Sequence, residues 1–269
     1  MRINTALMPA LLFMLLVFVA LMGAFVGDGA DQKEKLRIGV IAPLSGVAAE
    51  YGAAISNGIT LAQAELPAVH ERIEFLFEDT PYASKAAVSS FQKLRTADRV
   101  DAVYVMGVSF CDAVAPLAES AKLPMIAQCV QRSVTAGRNF VLRFFSPADK
   151  YAQAVIYYLK AQGLNRLGVV IAGNTYVEEM LRALIENALP SQEITTIARY
   201  QAEDTDFRAA ITKIKHSQYD AIAVLLNAGQ IASFYRQLAE QEVTLPTIGT
   251  NWFETESEIQ AAGGTMENA

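Results

Sequence analysis

From residue 36 onward the chain keeps one rhythm: a short apolar run, a turn, then a longer segment with apolar residues at helical spacing. That rhythm leaves few folds open. Strands joined through helices run parallel, and a parallel sheet needs helices on both faces to cover it. The run 36–42 (LRIGVIA) is short and β-rich, as a doubly buried strand is. Residues 43–46 supply a turn. Segment 50–66 carries Ile55, Ile59, Leu61 and Ala62 at helical spacing and stops before Pro67. The run 72–78 (RIEFLFE) alternates, as a strand near a sheet edge does. A helix at 84–96, a strand at 101–106, a helix at 113–121 with Pro116 in its first turn, and a strand at 124–127 follow.

After the strand-like run 140–145 (FVLRFF) the rhythm starts again. Helices are predicted at 149–162, 177–188, 207–216 and 231–240, and strands at 167–172, 194–200, 221–226 and 246–249. Gly163 fits the C-cap of the first of these helices. The tail 254–269 is largely polar and shows no clear final element. The expected fold is therefore α/β, with two Rossmann-like lobes of parallel sheet flanked by helices. The first lobe covers 36–145 and the second 146–269, the second incomplete.

Residues 1–35 stand apart. Arg2 precedes an almost unbroken apolar stretch, 6–26, the pattern of an export signal. At about 20 residues the stretch is also long enough to span a bilayer. Gly27 and Gly29 offer a small-x-small cleavage pattern that Asp28 and Phe25 weaken. Two outcomes stay open, a cleaved signal peptide or an uncleaved anchor. Both place the remainder in the periplasm or on the extracytoplasmic face of the inner membrane. No Cys near the end of the stretch offers an N-terminal lipid attachment.

Several functions are excluded. The net charge is −6, and no run of Lys or Arg provides the basic face that a nucleic acid requires. No G-x-G-x-x-G follows the first strand, and neither a P-loop nor a G-x-S-x-G occurs. The two histidines, His70 and His216, have no ligand-type neighbour at metal-binding spacing. An enzyme, a cofactor and a metal are not expected. The two cysteines, Cys111 and Cys129, follow neighbouring predicted strands, so they form either a disulfide or a pair of buried thiols.

The segment 37–57 (RIGVIAPLSGVAAEYGAAISN) resembles the opening of the leucine/isoleucine/valine-type periplasmic binding proteins, the type I solute-binding proteins of ABC transporters. The matching pieces are the strand at 38–42, Pro43-Leu44-Ser45-Gly46, and Tyr51-Gly52. Glu78-Asp79 resembles an acidic pair of that family. Phe140–Ala154 resembles its crossing between lobes, through Arg143, Pro147 and Asp149, and Asp204-Thr205-Asp206-Phe207 resembles its lead into a second-lobe helix. Asp206 also reads simply as a helix N-cap. The resemblance spans about 36–253 and implies capture of a small solute, an amino acid or a related amide or carboxylate, for an ABC transporter permease. An anchored ligand-sensing domain is the alternative. Family members run longer, so the chain resembles a truncated one.

Ligands of such sheets bind beyond the carboxyl ends of the strands. The resemblance therefore implies a site at Ser109, Cys111, Cys129, Gln131, Tyr176, Asn227, Asn251 and Trp252. Ser109 and Cys111 stand where the family holds a ligand carboxylate at a helix N-terminus. Ser109 equally serves, with Asp112, as a cap of the helix expected at Ala113. Cys129 and Gln131 follow the next strand, Tyr176 matches an aromatic ligand wall, and Asn227 follows a second-lobe strand. Asn251 stands where amino-acid binders carry a carboxylate for the ligand ammonium, and Asn supplies no charge. Trp252, the sole Trp, adds an aromatic face.

Overall fold

The computed structural model describes residues 35–81 and 84–266. The apolar stretch 6–26 and the processing positions after it lie outside the described residues. Among the described residues, no helix is long and apolar enough to cross a membrane.

Two parallel sheets form. The first holds β1 (Leu36–Ala42), β2 (Ile73–Asp79), β3 (Ala102–Met106), β4 (Met125–Gln128) and β5 (Val141–Arg143) in the order β2-β1-β3-β4-β5. The second holds β6 (Arg166–Ala172), β7 (Glu193–Tyr200), β8 (Ala221–Leu225) and β9 (Thr247–Gly249) in the order β7-β6-β8-β9. The longer helices are α1 (Ala49–Glu65), α2 (Ser84–Thr96), α3 (Val108–Ala121), α4 (Ala148–Gln162), α5 (Thr175–Asn187), α6 (Arg208–Lys215), α7 (Ile231–Glu240) and α8 (Glu256–Ala262), and a single turn of helix, Pro67–His70, leads into β2.

The apolar runs behave as their composition dictates. All of β8 is buried, as is β6 after its first residue, while alternating β2 lies at a sheet edge. Central strands of a parallel sheet are covered on both faces and an edge strand is not. Each sheet reverses its strand order once, between β1 and β3 and between β6 and β8. Such a reversal opens a crevice past the strand ends.

Three expectations need correction. The third helix starts at Val108 rather than Ala113. Gly107, at φ +120°, turns the chain directly from β3 into the helix, and Val108, Phe110 and Cys111 bury as its first-turn apolar face. Pro116 consequently lies in the helix interior, not in its first turn. Its ring sits on the exposed face, although the missing N–H leaves one helical hydrogen bond unmade. Finally, the tail does carry an element, α8. Its Glu258 is buried and accepts from the backbone N–H of Gly229 and, at 2.7 Å, from that of Ala232. A carboxylate there satisfies free donors at the start of α7.

α1 forms where expected, yet Gly52 is its sole buried residue and Leu61 is 59% exposed. Ile55 and Ile59 share a face, and Leu61 falls off it.

Candidate functional site

A cleft lies between the two sheets. It opens to solvent at its mouth. The first sheet's side contributes Pro43 after β1, Tyr51 on α1, Met106 to Phe110 around the β3–α3 turn, and Gln128 to Val130 after β4. The other side contributes Asn174, Thr175 and Tyr176 after β6, and Asn251 and Trp252 after β9. Each group stands at the carboxyl end of a strand or the start of a helix.

The wall at β1 explains the opening motif. Asp79, closing β2, accepts from the N–H groups of Leu44 (2.8 Å) and Ser45 (3.2 Å) and from the Ser45 hydroxyl. The Ser45 hydroxyl above all, with these backbone donors, holds the Asp79 carboxyl below its usual range against a smaller cost of burial. A Cβ at Gly52 would overlap the Pro43 carbonyl oxygen, so the glycine lets α1 close on this loop.

The far wall is aromatic. The Trp252 ring lies 4.9 Å from that of Tyr176 and 6.3 Å from that of Tyr51, tilted 32° to each. One indole thus bridges the two sides of the cleft. The Tyr176 hydroxyl donates to Asn251 Oδ1 at 2.6 Å. Burial pushes the Tyr176 phenol up to about 12, so it keeps its proton and remains a donor at neutral pH. Thr250 orients the turn by accepting from the Trp252 N–H at 3.3 Å. Asn174 caps α5, accepting from the N–H groups of Tyr176 (2.9 Å) and Val177 (3.1 Å).

Of the eight residues expected at the site, five meet in the cleft: Ser109, Cys129, Tyr176, Asn251 and Trp252. Three do not line it. Cys111 is fully buried inside α3, its thiol donating to the Val105 carbonyl at 3.4 Å. This follows from the early start of α3, which turns Cys111 into the core. Both cysteines are free thiols. Burial, then the Cys129 thiol, then nearby Asp112 push the Cys111 thiol well above its ordinary value. Gln131 is buried, its Nε2 donating to the Val108 carbonyl (2.8 Å) and Asp112 Oδ1 (2.9 Å), so its amide ties a loop to α3. Asn227 accepts from Asn174 Nδ2 and stands one contact behind the cleft.

Gln128, Asn174, Thr175, Tyr51, Pro43 and Met106 line the cleft without having been assigned to it from sequence. Tyr51 was visible in the Tyr-Gly motif. Gln128 was visible as the residue closing a strand, but it reads there as strand end rather than as site. Among the residues lining the cleft, none carries a charged side chain. Among the described residues, no group of His, Cys, Asp and Glu could hold a metal ion.

The fold is similar to that of solved proteins. The branched-chain amino acid transporter substrate binding protein LivJ from Streptococcus pneumoniae, solved with isoleucine, is 24% identical at a TM-score of 0.73, over 85% of this chain and 68% of that one. The leucine binding protein LivK from Thermotoga maritima is 24% identical at a TM-score of 0.74, over 86% of this chain and 67% of that one. An ABC transporter solute binding protein from R. palustris, solved with benzoate, is 20% identical at a TM-score of 0.72, over 86% of this chain and 66% of that one. No curated protein sequence matches the chain. The family model described as periplasmic binding protein matches residues 35–269, and with two parallel α/β sheets facing a cleft behind that match, the chain belongs to the periplasmic binding protein family.

Proposed function

We propose that this chain captures a small carboxylate with a flat apolar body and no ammonium group, and delivers it to the permease of an ABC transporter outside the cytoplasm. The family is one of non-catalytic, extracytoplasmic solute carriers. The observation that carries the finer reading is the charge-free lining of the cleft. An ammonium taken from water into such a cleft would lack a carboxylate partner, and an unpaired buried charge is costly. An anion is better served. Val108 and Ser109, which open α3, line the cleft, and a helix N-terminus favours negative charge. Trp252 between Tyr51 and Tyr176 suits a flat ring. Neighbours of the same fold include proteins solved with isoleucine and with benzoate, so the scaffold accommodates both classes. In this reading 36–145 and 146–269 are the lobes that close on the solute, and 6–26 directs or anchors the chain.

A thermal-shift comparison of benzoate, 4-hydroxybenzoate and isoleucine tests this. A ligand at a hundred times its Kd stabilises by about 2.7 kcal/mol, which raises Tm by about 5–10 °C for a chain of this size. The aromatic acids are expected to give that rise and isoleucine none. A rise with isoleucine alone would overturn the reading.

A further inference from the structure

Gln128 closes β4 and lines the cleft. Its Oε1 accepts a hydrogen bond from the hydroxyl of Tyr104, on the neighbouring strand β3. Tyr104 pairs with Ile126, so Gln128 lies one diagonal step away on the same sheet face, opposite the face that buries Val103, Val105 and Ala127. The direction of this bond matters. An amide nitrogen cannot accept, so a phenol that donates to Gln128 must meet its oxygen. The Tyr104 phenol is pushed up to about 12, first by burial and then by Cys111, and so retains the proton it donates. A half-buried Tyr hydroxyl also needs an acceptor, and this amide oxygen supplies it.

Across the cleft the same device recurs. Asn251 Oδ1 accepts a hydrogen bond from the Tyr176 hydroxyl, which leaves the Asn251 NH₂ as the unspent group. Two amides, one from each side, thus have their oxygens occupied by tyrosines.

We propose that Tyr104 is a positioning residue that turns the Gln128 NH₂ into the cleft, and that Gln128 and Asn251 together select a solute bearing acceptor oxygens at both ends. The proposal rests on the carboxylate reading above and adds a second recognition group, with its chemistry, to it. A solute of this class is a carboxylate with a carbonyl or comparable acceptor at its far end. A solute presenting a donor-only group such as an ammonium at either end would leave an N–H facing an N–H.

The probe is 4-formylbenzoate, which carries acceptor oxygens at both ends and no donor, so either orientation brings an acceptor to Gln128. Calorimetric titration of the wild type, Tyr104→Phe, Gln128→Leu and the double variant forms a double-mutant cycle. Gln128→Leu is expected to weaken binding roughly tenfold and Tyr104→Phe roughly threefold, in keeping with loss of one hydrogen bond. The double variant is expected to be no weaker than Gln128→Leu, since Tyr104 acts through the amide. Full additivity, or unchanged affinity in Gln128→Leu, would overturn the proposal. A second readout needs no solute. The ¹³C shift of the Gln128 side-chain carbonyl reports the bond it accepts, and it is expected to move in Tyr104→Phe. An unmoved shift in a folded variant would overturn the positioning role. If the wild type ignores every carboxylate, the functional reading fails, while the carbon shift still decides the Tyr104–Gln128 bond.

Discussion

Asn251 concentrates the question of what the cleft prefers. It stands at a position where a carboxylate would favour an ammonium-bearing solute, and its own oxygen is engaged by Tyr176. Asn251→Asp is expected to weaken benzoate binding by tenfold or more, about 1.4 kcal/mol, by setting a negative charge beside a bound anion. Calorimetric titration of the variant against the wild type checks this, and equal affinities would contradict it. The cysteines make a second case. Their order in the chain left a disulfide or two thiols open, and the structure holds two buried thiols. Burial keeps the Cys111 thiol protonated, and the thiolate is the reactive form. A thiol reagent is expected to react slowly with native protein and to find two thiols once it is denatured. A count of none without reductant would contradict that.

At the scale of elements, the loop after β1 depends on its neighbours. The Asp79 carboxyl, held below its ordinary value of 3.8 chiefly by the Ser45 hydroxyl, contributes stability that is fully present above that value and lost as pH falls through its lower folded value. Urea denaturation at pH 6 and pH 3 is expected to show a smaller acid loss in Asp79→Asn than in the wild type. Equal losses would remove Asp79 from the account. Gly52→Ala forces a methyl against the Pro43 carbonyl and is expected to cost about 1–3 kcal/mol, read as a lowered denaturation midpoint. Glu258→Ala leaves the N–H groups of Gly229 and Ala232 without their acceptor. It is expected to cost about 2 kcal/mol or more by the same measurement, with Glu258→Gln costing less.

These elements also show why some of the fold was legible in the sequence and some was not. β1, α2 and α7 were readable to the residue, because an apolar run or stripe bounded by turn residues states its own limits. The start of α3 was not, because Ser109 and Asp112 resemble caps, while the positive φ that launches the helix is a property of Gly107 in three dimensions. α8 was missed because its buried Glu258 looks polar until its partners on another element are known. In the site, Tyr176, Asn251 and Trp252 could be placed because each follows a strand at a position that the family resemblance marks. Gln128 could not, since its role depends on a tyrosine reached only through strand pairing.

Across the whole molecule, two parallel sheets, each with one reversal of strand order, meet at a cleft whose polar groups are neutral. Membership of the periplasmic binding protein family gives the chain a solute to hold, and the lining narrows which one. The chain's single Trp lies in that lining, so its emission reports on the cleft. A fluorescence titration of the wild-type protein with benzoate and with isoleucine is the most direct measurement. A saturable change in Trp252 emission with benzoate, and none with isoleucine at the same concentrations, is the predicted result. Saturation by isoleucine with benzoate silent would contradict the account.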